Sequence, residues 1–335
     1  MPRQSLDEKF ARLKELEEQG LHSDDSVREI RQFMAGTSSV LAAKAAKAAA
    51  RLEIRGLGPE LVSLFHRRMK NSVKNDPGCH AKIAVVEALS SLDIPDADVF
   101  IQGIRHIQME PSFGPPVDTA DRLRAACAFG LYRMGHRELI PEMVMLLMDR
   151  EPAARRAAIK VLIDIGQESC EMLLRLKALQ GDDEPEIMGD CLNGLIAISP
   201  ARSLPFVDRF LSAKDPAVVE EAALALGNSR LPEACMRLQE FRERSPLLKS
   251  MLLLPIALTR CEQAFSLLLD VIRKEHAENA AAAVEALSIY AGNPERRQLI
   301  REAVLTRNDP AVNSAYEESI VREKSAGNKE KDEAL

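Results

Sequence analysis

The sequence predicts an all-α fold, a right-handed α–α superhelix (solenoid) of about eight to nine helical hairpins. Three observations carry that expectation. First, the chain has 335 residues, and a single hydrophobic core stops growing at about 250–300 residues, which leaves two domains or a repeat array. Second, the composition is rich in Ala, Leu, Glu and Arg, with only 4% aromatic residues and no Trp. A β-sandwich or barrel would spend more Val, Ile, Thr, Tyr and Phe. The 46% of hydrophobic residues is too many for a disordered chain. Third, one short pattern recurs at a nearly constant interval.

That pattern is an Asp-Pro or its equivalent, followed by three apolar or small residues spaced by four. Asp76-Pro77 precedes Ala81, Val85 and Leu89, and Asp118 precedes Leu123, Cys127 and Leu131. Glu151-Pro152 opens Ala154, Ala158 and Leu162, and Glu184-Pro185 opens Ile187, Cys191 and Leu195. Asp215-Pro216 leads into Val218, Ala222 and Leu226, and Ser245-Pro246 into Leu248, Leu252 and Ile256. Glu275 precedes a degraded copy at Asn279, Ala283 and Leu287, and Asp309-Pro310 leads into Val312, Tyr316 and Ile320. The first members, 81, 123, 154, 187, 218, 248, 279 and 312, are separated by 42, 31, 33, 31, 30, 31 and 33 residues. Chance does not produce that regularity.

Positions i, i+4 and i+8 form one stripe of a helix. A small middle residue lets a neighbouring helix come close. Proline suits the first turn, where its missing N–H is not needed, and Asp before it can cap free amides. A second amphipathic segment lies between successive stripes, at Glu138–Met148, Cys170–Leu179, Ser203–Leu211, Glu233–Phe241 and Gln263–Ile272. Each unit is therefore a hairpin of two helices that buries its apolar face only by stacking on its neighbours.

These units resemble HEAT repeats, in particular the short bacterial HEAT-like variety related to phycobilin lyase subunits. In that family the second helix opens with Asp, often Pro, then an apolar residue and Arg. It runs through a small residue to Leu and ends near Ile-Gly. The closest copy runs from Glu151-Pro152-Ala153-Ala154-Arg155-Arg156-Ala157-Ala158 to Ile165-Gly166, and Leu123-Arg124 to Met134-Gly135 is the next. Met188, Val219 and Lys249 replace the Arg in other copies. The resemblance covers residues 38–320. It implies the fold and, for Arg124 and Arg155, bonding within or between repeats; it says little of function.

The ends differ from the body. Residues 1–36 are expected to cap the array, with two polar amphipathic helices over 5–34 and a stripe at Leu6, Phe10, Leu13 and Leu16. The Ala-rich segment Ser38–Leu52 reads as the second helix of an atypical first repeat. The solenoid is expected over 37–322, and the charged stretch 323–335 is expected to be a disordered tail. The long interval places an insertion at 108–117, Pro/Gly-rich and carrying Phe113, a candidate contact loop.

Net charge is -6, but unevenly spread. Residues 37–80 hold eight Lys or Arg against three acids, and residues 182–230 hold four against nine. Such a gradient orients a charged partner. The candidate partner-binding residues are Arg122, Arg124, Arg155 and Arg156 on the second helices, Phe113 on the loop, and Arg67, Arg68 and Lys70 in the basic region.

Signs of chemistry are sparse. The histidines His22, His66, His80, His106, His136 and His276 are never followed by Glu, whereas HEAT-like di-iron hydroxylases repeat His-Glu pairs. The sequence has no HExxH, P-loop, GxGxxG or GxSxG. No metal or cofactor is expected. Six cysteines without a CxxC pair read as reduced thiols, and the charged N-terminus lacks a secretory h-region, so a cytoplasmic protein is expected. A membrane span needs roughly 20 apolar residues, and the run Ser250–Leu258 is far shorter. The absence of Trp argues against base stacking. The expected function is a non-catalytic scaffold that binds a protein partner on the concave face. A relative of a HEAT-like lyase or modifying enzyme, and nucleic-acid binding through 37–80, are the alternatives.

Overall fold

The computed structural model describes residues 5–20 and 23–322. His22 and the tail expected at 323–335 lie outside the described residues. The chain divides into two compact units, residues 1–165 and 166–335.

The first unit opens with α1 (Leu6–Gln19), started by a capping box in which the Ser5 hydroxyl and the Glu8 carboxylate each accept the other residue's backbone N–H. Four hairpins follow: α2 (Asp24–Ala35) with α3 (Ser39–Arg51), α4 (Gly58–Met69) with α6 (His80–Ser91), α7 (Ala97–Ile104) with α8 (Asp121–Arg133), and α9 (Leu139–Leu146) with α10 (Pro152–Ile165). The single turn α5 (Ser72–Asn75) lies in the second of these. The second helices α3, α6, α8 and α10 stack in sequence. The stack is tight because the helices meet through small residues. In α3, Ala42, Ala45, Ala46, Ala48 and Ala49 are wholly buried, and Gly130 of α8 receives the Phe100 ring where a Cβ would stand.

The second unit repeats the scheme with α11 (Glu168–Gln180) and α12 (Pro185–Ile198), α13 (Pro200–Asp208) and α14 (Pro216–Asn228), α15 (Pro232–Arg244) and α16 (Leu253–Leu258), α17 (Glu262–Lys274) and α18 (Ala277–Leu287), and α19 (Pro294–Arg307) and α20 (Pro310–Tyr316). Its second helices α12, α14, α16, α18 and α20 again stack in order. Asp215 and Asp309 accept the first free amides of α14 and α20, as the Asp-Pro signature predicts. The middle positions Cys127, Ala158, Cys191, Ala222 and Ala283 are all fully buried.

The repeated ending has a backbone reason. Gly135 and Gly166 have positive φ just past α8 and α10, a left-handed position that favours glycine. Glu53, Asp93, Arg230 and Arg260 take the same conformation after α3, α6, α14 and α16. The turn therefore persists where the Ile-Gly signature is lost.

One expectation is corrected and one is sharpened. The stripe Leu248–Leu252–Ile256 is not one helix: Pro246–Leu248 is a 3-10 turn, and α16 begins only at Leu253. Pro255 explains this. It cannot donate an N–H to a preceding turn, so it is accommodated in the first turn of a late-starting helix. The insertion at 108–117 is a loop whose base is paired. Strands β1 (Met109–Glu110) and β2 (Val117–Asp118) pair antiparallel, Met109 opposite Asp118, and carry Phe113 at the tip.

Candidate binding groove on the first unit

The stacked second helices present one exposed strip each, at fixed offsets from the buried stripe. In the first unit these strips line a continuous groove. On α3 it is lined by Val40, Ala43, Lys44, Lys47 and Arg51. On α6 the lining is His80, Ile83, Glu87 and Ser91, and on α8 it is Arg122, Ala125, Phe129 and Arg133. Phe10 and Lys14 of α1 close one side. The next residues in this register, on α10, are Arg156 and Lys160, both exposed.

The groove is cationic with an apolar floor. Lys47 pairs with Glu87 at 3.3 Å, Arg51 with Glu17 at 3.1 Å and Arg133 with Asp93 at 2.9 Å. Lys44 lies over the Phe10 ring, 4.5 Å from its centroid. Arg122 is exposed in the middle of the groove and makes no hydrogen bond or ion pair with a described residue. Its donors remain available to a partner. Phe129 and Ile83 beside it supply apolar surface.

The second unit carries the opposite sign at the same register. There α12 places Glu186 and Asp190, α14 places Glu220 and Glu221, and α18 places Glu278 and Glu285. None of α12, α14, α16 and α18 has Lys or Arg at these positions. Glu221 lies where a Cβ on Gly189 would stand, so the acidic strip of α14 reaches across α12.

The eight candidate residues separate into two sets. Arg68, Arg124 and Arg155 are buried. Arg68 donates to the carbonyls of Gly36, Thr37 and Asn75. Arg155 donates to the carbonyls of Asp149 and Arg150. Arg124 pairs with Asp118 and with Asp149, both at 2.7 Å, and donates to the His106 carbonyl. These three guanidinium groups tie inter-helix loops to helices. Arg67, Lys70, Phe113, Arg122 and Arg156 are exposed. Arg67 lies on α4, a first helix, and donates to the Met34 carbonyl, and Lys70 is the residue just past its end; neither lines the groove.

Sequence reasoning did not find Lys82, the residue at the Arg124 position of α6. It is wholly buried, pairs with the equally buried Asp76 at 3.2 Å and donates to Gln108 Oε1 at 3.0 Å. Gln108 in turn donates to the Asp76 carbonyl and to Glu110. The foot of the β-hairpin is thereby bolted to the start of α6. Nor did it single out Phe129, Lys160, Arg51 and Arg133, whose place in the groove follows from the register of the Arg122 strip.

Burial would raise the Asp118 carboxyl, but the N–H groups of Gln108 and Ala120 and the Arg124 guanidinium hold it below its ordinary range. Burial likewise works against Glu171 in the second unit, and Arg202 and Arg175 hold its carboxyl low. Burial lowers His106, which favours the neutral ring. Among the described residues no three His, Cys, Asp or Glu side chains group so as to hold a metal ion. No described helix is long and apolar enough to cross a membrane.

Fold and groove together define a helical-hairpin repeat protein with a charged groove. No family model and no curated protein matches the chain. Among solved structures it is similar to an engineered protein at 16% identity and a TM-score of 0.39, over 95% of each chain. It is also similar to the complex of CpcE and CpcF of phycocyanin lyase from Nostoc sp. PCC7120, at 15% identity and a TM-score of 0.35, over 70% of this chain and 91% of that one. A third similar structure is human deoxyhypusine hydroxylase in complex with glycerol, at 16% identity and a TM-score of 0.31, over 78% and 92%.

Proposed function

We propose that the protein is a non-catalytic scaffold that takes an acidic, partly apolar segment of a partner protein in the groove of its first unit. The observation that supports this is the charge of the groove. Lys44, Lys47, Arg51, Arg122 and Arg133 line it, and Arg122 has no partner within the described chain. A cation that makes no internal ion pair gives up no existing partner when it meets a carboxylate. The apolar floor at Ile83 and Phe129 favours a peptide carrying hydrophobic side chains between its acids. Phe113, fully exposed at the hairpin tip, is a second anchor on this reading. Aromatic platforms for base stacking are few in the groove, which favours a protein segment over a single-stranded nucleic acid.

Fluorescence anisotropy with a labelled Glu/Leu-rich peptide and with a labelled DNA duplex tests the reading. Wild type is expected to bind the peptide, with affinity falling as salt screens the charges. Lys47→Glu combined with Arg122→Glu is expected to weaken binding more than about tenfold, or roughly 1.4 kcal/mol. Tighter binding of the duplex than of the peptide, or equal peptide binding by the double variant, would overturn it.

A further inference from the structure

Cys235 and Cys261 are 26 residues apart, and no spacing motif links them. The second unit nevertheless brings their sulfurs within 2.7 Å. Cys235 lies in the first turn of α15 and is buried. Cys261 is the N-cap of α17, is partly exposed, and accepts the Ala264 N–H at 3.3 Å. It thus stands where Ser or Asp usually stands, at the positive end of a helix of 13 residues. Gln239 Nε2 donates to Cys235 Sγ at 3.3 Å. The other four cysteines are buried.

The two thiols differ in acidity in a way that divides the work. Burial would raise Cys261, but the Cys235 thiol, Thr259 and the α17 amides favour its thiolate and bring it below the ordinary range. Burial, and then the neighbouring Cys261, push Cys235 up to about 12. Cys261 is therefore the more acidic of the two thiols.

We propose that Cys235 and Cys261 form a thiol–disulfide exchange site that a low-molecular-weight disulfide closes into a bond between α15 and α17. The accessible Cys261 thiolate attacks one sulfur of the oxidant RSSR. The S–S bond of the oxidant breaks, RS⁻ leaves and a mixed disulfide forms on Cys261. The departing RS⁻ takes the Cys235 proton. Cys235 sulfur then attacks Cys261 Sγ, expels the second RS⁻ and completes the Cys235–Cys261 bond. The protein dithiol loses two electrons and the oxidant gains them. The bond fastens one hairpin to the next across α16, the short helix that Pro255 delays. Oxidation thereby straps the least regular hairpin of the second unit.

Incubating the intact chain with oxidised glutathione, alkylating the remaining thiols and mapping the digest by mass spectrometry tests this. The expected product is a single Cys235–Cys261 cross-link, with the oxidised chain unfolding at higher urea than the reduced one. C235S is expected to trap glutathione on Cys261, and C261S to leave Cys235 unmodified. Alkylation of both thiols in the treated wild type would overturn the proposal, and that reading does not depend on how either variant folds. Glutathione retained on Cys235 in C261S would overturn the order of attack, and an unchanged urea midpoint would overturn the strap.

Discussion

The two units build their second helices to one plan and finish them with opposite charges. On the first unit the exposed register carries Lys44, Lys47, Arg51, Arg122, Arg133, Arg156 and Lys160 against Glu87 and Asp164. On α12, α14, α16 and α18 of the second it carries four exposed acids, Glu186, Glu220, Glu278 and Glu285, with Asp190 and Glu221 half-buried beside them, and no base. The buried register differs too. The position after the first stripe residue is Lys82, Arg124 and Arg155 in the first unit, and Met188 and Val219 in the second. Stacking constrains the small and apolar positions, which are alike. It leaves the exposed strip free, so recognition can diverge while the hairpins do not.

The comparison breaks most severely at the buried cations. Lys82→Met is expected to cost about 3–5 kcal/mol, because Asp76 stays buried without its counter-charge. Urea unfolding measures this. Adding Asp76→Asn should return part of the loss, since it removes the unpaired buried charge, but only part, because Asn Oδ1 replaces just one of the two oxygens that accept the Ala81 and Lys82 amides. A smaller effect is expected at the tight helix contact. Gly130→Ala places a methyl in the Phe100 ring and should lower stability by about 1–3 kcal/mol, read as a reduced thermal midpoint.

Acid titration separates the units next. The Asp118 and Glu171 carboxyls lie lower in the folded chain than their ordinary values of 3.8 and 4.5. Each contributes stability that is present above those values and is lost as pH falls through the depressed folded one. The urea midpoint should therefore decline below about pH 4. Asp118→Asn should flatten that decline in the first unit and Glu171→Gln in the second. The smallest effect belongs to the exposed strip. Arg122→Ala and Glu220→Ala should each change stability by no more than about 0.5 kcal/mol in the same titration. A larger loss at Arg122 would mean that the groove charge is structural.

Much of the fold was legible in the sequence because its signals are local and repeated. The stripe spacing, the Asp-Pro starts and the Gly endings each report one helix. The late start of α16 was harder to see, since an apolar run of Leu and Met masks the proline inside it. The β-hairpin escaped because two-residue strands leave no periodic trace. At the site, Arg122 and Arg124 sit side by side in sequence, yet one is exposed and the other 3% exposed. Helical geometry separates them, and only the packed partners Asp118 and Asp149 show which one is spoken for. The Cys235–Cys261 pairing depends on two turns of the chain and has no sequence signature.

The β-hairpin offers a practical handle. Its foot is clamped by Gln108, Lys82 and Asp76, and Glu110 accepts the Gly78 N–H at 2.7 Å. Residues 111–116 project beyond that clamp, and Ser112 to Pro116 are exposed. Lengthening such a tip adds little closure entropy. A foreign epitope, a fluorophore site or a whole small domain could replace those six residues while the helical stack below keeps its spacing.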